Sequence, residues 1–384
     1  MSFSRSSAPK ALLVLLLAAV LAGCGSKDGS RELAAGRAAY ESGDFKKAES
    51  LLLKSEEKNA TNVDTQVSLA LVNLRQGDLA DAERHIANAA SMAGGDVDVR
   101  LLGAQIAWHG KDYEKALRLY RSVAQDAELD ASLRARGWTG VGIVRMTTDA
   151  YDLARVAFLT AIRLDRRNAS ARYHLGHLYR YAPFAYPEAA LEQFQIFVRL
   201  DSEADPRVQK TQSAIIPALK DAIAQATTDI PGASKRNSAA SASALSRAET
   251  AWKRGQYKNA RAAYQEALSA DPLAYPAALG LARAIVTIVD KKLDHPEQLQ
   301  NALWAYRRAC ALRPGAISTF IEAGAVAMRI KRAATAREIY SRAIAANPAS
   351  VEALDGIVRA FRQIGGDQTI GAAYYGYLKM VRGR

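Results

Sequence analysis

The sequence predicts an all-α fold of stacked helix pairs, and three observations predict it. Small residues recur at a near-constant interval: Ala48, Ala82 and Ala116 stand 34 apart, and Ala154 and Ala190 follow after 38 and 36. Hydrophobic residues are 49% of the 384 but aromatics only 7%, so the apolar content is largely Ala and Leu, a composition that favours helices over strands. Turn-forming Gly and helix-stopping Pro stand between the apolar runs, as Gly255 and Pro272 do around one of them. A unit of this length cannot bury its apolar face alone, and stacking such units builds one continuous core.

The clearest unit places Ala248, Ala260 and Ala267 where two antiparallel helices cross, Gly255 at the turn between them, Tyr257 and Tyr264 as fillers, and Pro272 after the second helix. This pattern resembles a tetratricopeptide repeat, a helix-turn-helix of about 34 residues. The resemblance implies two arrays of such repeats forming a superhelical solenoid.

In chain order, residues 1–23 read as a targeting segment. Arg5 and Lys10 precede the apolar run 11–21, which is too short to span a bilayer. It ends in Leu21-Ala22-Gly23-Cys24, which resembles a bacterial lipobox. That resemblance implies cleavage before Cys24, a diacylglycerol on its sulfur and a further acyl chain, such as palmitate, on the new amino group. Gly25, rather than Asp, follows the lipidated residue; by the same resemblance the anchor belongs in the periplasmic leaflet of the outer membrane. Residues 24–30 form a short polar tether, which keeps the first repeat close to the bilayer. Loss of Arg5 and Lys10 leaves 50 basic against 39 acidic residues, a net +11. Such a surface suits anionic lipid, acidic polysaccharide or an acidic partner, and nucleic acid is not expected in that compartment.

The first array, 31–228, contains about five repeats and a closing helix. Gly36, Ala70, Ala104, Gly142 and Gly176 are the small residues of its first helices, and Leu52, Ile86, Tyr120, Phe158 and Phe194 the fillers of its second helices. The longer steps place insertions at 125–132 and 182–187. A closing helix over 207–226 is interrupted by Pro217. Residues 229–243 lose all periodicity and read as a linker, the alternative being a long surface loop. The second array, 244–384, contains about four repeats: Ala260, Ala302 and Ala336 keep the register, 291–299 holds an insertion, and a helix over 369–381 closes the core.

In this family the first helix of each pair lines a concave groove. Carried over residue by residue, the groove takes Arg37, Tyr40, Arg75, Trp108, His109 and Arg136, and then Tyr173, His174, His177 and Arg180. From the second array it takes Trp252, Arg283, Arg329, Arg359 and Arg362. Such a basic, aromatic groove suits an extended peptide of an envelope protein or a sugar chain.

His174 and His177, three apart on one helix, have no third ligand at a recognised spacing, so neither a metal nor another cofactor is expected. Cys310, the one cysteine besides Cys24, reads as a buried core residue. No nucleophile-base pair or phosphate cradle stands out, and the chain reads as a non-enzymatic interaction protein. Lipobox and repeats together resemble outer-membrane lipoproteins that serve as scaffolds for pili and secretion systems. The alternative is a component of exopolysaccharide export that binds an acidic polymer or its synthase-porin apparatus.

Overall fold

The computed structural model describes residues 28–181, 184–228, 234, 236–365 and 368–383. Cys24, the targeting segment and most of the tether lie outside the described residues. Every regular element among the described residues is helical. The chain forms two compact units that divide between Leu119 and Tyr120.

The first unit pairs α1 (Ser30–Glu41) with α2 (Phe45–Lys58) and α3 (Val63–Gln76) with α4 (Leu79–Ala93); α5 (Val97–His109) then leads into α6 (Tyr113–Ala124), in which the division falls. Short polar side chains start these helices. Asn62 accepts from the Thr65 amide at 3.0 Å and Asp96 from that of Val99 at 3.1 Å; Asp44 and Asp78 cap α2 and α4 in the same way. Each such cap satisfies an orphan donor and contributes about 1 kcal/mol. Gly77 ends α3 at φ 87°, a conformation costly for any residue with a Cβ. The core follows the sequence register: Ala48, Leu52, Ala70 and Ala82 are fully buried, and Ile86 nearly so.

The second unit continues with α7 (Ala131–Thr147), α8 (Tyr151–Leu164), α9 (Ala169–Arg180) and α10 (Pro187–Leu200). Its closing helix begins as α11 (Pro206–Lys210), widens into a π turn over Thr211–Ile215 and resumes as α12 (Ile216–Thr228). Pro217 has no N–H for the Ser213 carbonyl, and a wider turn accommodates that loss. The remaining pairs are α13 (Ser238–Lys253) with α14 (Tyr257–Ala270), α15 (Tyr275–Asp290) with α16 (Leu299–Leu312), α17 (Ile317–Arg329) with α18 (Ala333–Ala346), and α19 (Val351–Ile364) with α20 (Gln368–Val381).

The expected linker 229–243 falls inside this unit, and its second half is helix. Asn237 caps the Ala240 amide at 3.0 Å and Ser241 donates to the Ala267 carbonyl at 2.9 Å. The Ala/Ser composition of 238–243, which suggests a flexible chain, is instead that of a helix start pressed closely on α14.

Aromatic side chains set the spacing between pairs by lodging against glycines of first helices. A Cβ on Gly142 would lie 2.6 Å from Phe158 Cδ1, and one on Gly324 would lie 2.6 Å from Tyr340 Cε1. Tyr340 meets Gly356 of the following pair as well, so one ring packs between two successive first helices. Close packing of this kind admits no extra methyl without displacement.

The unit also closes on itself. α8 packs against α20, and α10 against α18, across more than 180 residues of chain in the case of Arg155 and Ser341. Arg155 of α8 is fully buried at this joint. Its guanidinium donates to Asp152 Oδ1 at 2.8 Å, to Ser341 Oγ at 2.9 Å and to the Tyr374 hydroxyl at 2.7 Å, while Tyr374 donates to Asp152 at 2.9 Å. The insertion after α9 supplies Phe184, whose ring centroid lies 4.5 Å from Arg155 Cζ, and Tyr186, whose amide is held by the Tyr179 carbonyl at 2.8 Å. Burial works against the Arg155 charge, but Tyr374 and Asp152 outweigh it and raise its pKa.

Candidate partner-binding surfaces

In the first unit the expected groove residues are linked from one first helix to the next. Arg37 of α1 donates to Asp64 of α3 at 2.8 Å and to Ser68 at 3.1 Å. Arg75 Nε donates to the Tyr40 hydroxyl at 2.9 Å, and the Tyr40 ring leans on Phe45. Trp108, half-buried at the end of α5, sets its ring edge-on to exposed His109 at 4.7 Å. Exposed ion pairs such as Arg37–Asp64 add little stability, but they fix where each cation is presented.

The second unit carries a denser surface on α9. Tyr173, His177 and Tyr181 stand four apart and therefore share one face. Tyr173 and His177 lie 4.5 Å apart, and the His177 ring stacks on Tyr181 at 6.3 Å. Phe197 and Phe194 of α10 support them from beneath, at 5.0 Å from Tyr173 and 5.1 Å from His177. His174 turns away from this face and stacks on Phe158 at 5.9 Å.

Cations border the aromatic face at both ends. Arg180 lies over Tyr181, and Arg207 of α11 lies over Tyr173 at 5.5 Å, held by Asp205 at 2.6 Å. Sequence reasoning missed Arg207, although its place directly after Pro206 at a helix start fixes it in space. Tyr181 is 56% exposed whereas Tyr173 and His177 are half-buried, so the face is open to a partner at its Tyr181 end.

Burial holds the pKa of both histidines down to about 4, helped at His174 by the His177 and Arg207 charges and at His177 by Arg180 and Lys210. At neutral pH both rings are therefore uncharged aromatic surfaces. The cations beside them oppose a metal ion, and no cluster of three or more metal-ligating side chains occurs among the described residues.

In the later pairs the expected cations divide into two groups. Arg283 makes a two-pronged bond to Glu322 at 2.6 and 2.9 Å, and Tyr306 donates to the same carboxylate at 2.8 Å. Arg329 reaches Asp290 at 2.6 Å. Arg359 and Arg362 are exposed and make no ion pair among the described residues; Arg362 lies over Tyr375 at 5.9 Å. Trp252 is half-buried against Tyr257, and Arg136 is exposed on α7. Cys310 is buried, which pushes its thiol pKa up to about 12 and keeps it protonated and unreactive. No helix among the described residues is long and apolar enough to cross a membrane.

Comparison with known families matches the tetratricopeptide repeat at residues 33–90, 67–131 and 245–317. Among solved structures, pilF of Pseudomonas aeruginosa is 17% identical, covering 54% of this chain and 93% of that one at a TM-score of 0.42. A thermophilic tetratricopeptide-repeat protein of Thermus thermophilus is 16% identical over 49% of this chain and 99% of its own, at 0.43. MamA of Desulfovibrio magneticus is 16% identical over 48% and 99%, at 0.38. No curated protein sequence matches the chain.

Proposed function

We propose that this chain of tetratricopeptide repeats is a lipid-anchored scaffold on the periplasmic face of the outer membrane, which holds extended segments of partner proteins during assembly of an envelope machine such as a pilus or secretion system. The observation that carries the reading is the aromatic face of Tyr173, His177 and Tyr181, open at Tyr181 and bordered by Arg180 and Arg207. Rigid rings cover the apolar stems of a peptide at low entropic cost, and the flanking guanidiniums take its carboxylates. The motif ending in Cys24 supports the anchor. Catalysis forms no part of the proposal.

The second reading, an acidic polymer or its export apparatus as ligand, draws on Arg359 and Arg362, which no carboxylate neutralises among the described residues. Local pairing of Arg37, Arg283 and Arg329 with acids favours the peptide.

The experiment is site-specific photocrosslinking in intact envelopes, with the reactive group at Tyr181 and, as a control, at exposed Lys258. Capture of one envelope-machine protein at position 181 alone is expected, and it should persist at about 1 M salt, where charges are screened beyond about 3 Å. Equal capture from both positions, or capture abolished by that salt, overturns the peptide reading.

A further inference from the structure

From α13 to α20 each helix packs on the next in the chain through a short connection: 254–256, 291–298 and 330–332 within pairs, and 271–274, 313–316 and 347–350 between pairs. Helices joined in this way run antiparallel, so the connections within pairs lie along one edge of the stack and those between pairs along the other. Contacts from turn to turn trace the first edge. Lys291 Nζ lies 5.4 Å from the Tyr257 ring centroid, Arg261 pairs with Asp294 at 3.1 Å, and Arg329 pairs with Asp290 at 2.6 Å.

Charge divides unequally between the two edges. With one helical turn taken on either side of each connection, and the last turn of α19, the first edge holds nine cations against three carboxylates among the described residues. The other edge, taken in the same way, holds one cation, Arg313, against Asp271 and Glu352. On the first edge Asp290 and Asp294 are already taken by Arg329 and Arg261. Lys253, Arg254, Lys291, Lys292, Lys331 and Arg332 remain exposed and in no ion pair among the described residues. Backbone geometry does not account for them. The left-handed place in the turn is Gly255 in the first pair, at φ 71°, but Lys292 at 57° and Lys331 at 60° in the next two, where a Cβ is a cost.

Apolar tips stand among these charges. Leu293, directly after Lys291 and Lys292, is 47% exposed, and Ile364 at the end of α19 is 43% exposed. Lysine predominates among the free cations, and its compact ammonium answers to a field of negative charge, whereas the planar fork of Arg selects single carboxylates. An acidic polymer satisfies the cations but gives an aliphatic side chain nothing to be buried in. An anionic bilayer satisfies both, with lysine stems lying along the apolar boundary and their heads at the phosphates.

We infer that this edge rests on the anionic surface of a membrane, with Leu293 dipping below the headgroups and the lysines and arginines of the turns at the level of the phosphates. The inference goes beyond the scaffold reading, since it uses none of the α9 face and names a lipid surface rather than a protein as what the edge binds.

The test places an environment-sensitive fluorescent amino acid at position 293 or, as a control, at exposed position 349 on the other edge. The full chain is reconstituted into vesicles of phosphatidylcholine with or without phosphatidylglycerol. Lipids brominated in their acyl chains are expected to quench position 293 when phosphatidylglycerol is present and not in phosphatidylcholine alone, and to leave position 349 bright in both. Lys331→Glu/Arg332→Glu, in the neighbouring turn, lowers that quenching about tenfold with helical circular dichroism unchanged. Equal quenching in both lipids, equal quenching at both positions, none at position 293, or a double variant that quenches as before overturns the inference. So does a blue shift without quenching: on added polygalacturonate the occupant is a polymer, and with rising protein density it is a second copy. Tyr181 crosslinking reads a different face, so either idea can fail alone.

Discussion

Removing one hydroxyl tests whether the second unit is closed by the buried network around Arg155. Tyr374→Phe keeps the ring, which stacks on Phe361 at 5.8 Å, and deletes only the hydroxyl, whose oxygen accepts from Arg155 and whose O–H donates to Asp152. Hydrogen bonds to charged groups contribute about 1.5–3 kcal/mol each, and a buried donor left without an acceptor costs most of its desolvation. Arg155 keeps Asp152 and Ser341. The expected loss is therefore about 2–3 kcal/mol, less than the sum of two bonds. Arg155→Met goes further, at about 3–5 kcal/mol, because it strands the Asp152 carboxylate, and Arg155→Met with Asp152→Leu recovers part of that loss.

Repeat arrays open in pieces, so the assay is hydrogen exchange at the α8 and α20 amides alongside urea unfolding followed by circular dichroism. Both helices should lose protection together in Tyr374→Phe. A change below about 0.5 kcal/mol, or loss of protection at α20 alone, refutes the account of the joint.

Further outcomes follow from the same geometry. Gly142→Ala drives a methyl into Phe158 and should destabilise the second unit by about 1–3 kcal/mol, whereas Gly376→Ala, helical and with open space, should stabilise it by about 0.5–1 kcal/mol; urea midpoints check both. His174 and His177 have folded pKa values of about 4, below the unfolded value of about 6.5, so the unfolded chain binds more protons between those limits. Stability is complete above about pH 6.5 and falls on acidification towards about pH 4, by on the order of 5 kcal/mol for the two rings together, since solvent screens part of the His177 share; a flat unfolding profile across that window contradicts this. Cys310 should resist a maleimide at about pH 8 in the folded chain and react at the rate of unfolding in urea, as timed by mass spectrometry.

Much of the fold was legible because close helix crossings tolerate so few residue types. Ala48, Ala82, Ala154 and Ala190 had to be small, and all four are fully buried. Pro217 marked the π turn for an equally local reason. The joint was not legible, since Arg155 beside Asp152 reads as an ordinary exposed helix pair, and Tyr374 as another ring filler. One signal was present: the insertion at 182–187 carries Phe184 and Tyr186, two large rings in a segment that a plain surface loop would fill with polar residues.

The α9 face was half legible. Family positions put Tyr173, His174 and His177 in one groove, but only packing shows that His174 turns inward to Phe158 and that Arg207 arrives from a later helix. Family positions likewise named Arg283 and Arg329 as groove cations without revealing their partners, Glu322 and Asp290, each 39 residues away along the chain.

The most direct measurement of the central claim is a crosslinking pull-down from envelopes that compares the intact protein with Cys24→Ala. A lipid-anchored scaffold predicts capture of a pilus or secretion component from the intact protein and its loss from the variant. Capture of the same component by both proteins, or of no protein by either, contradicts it.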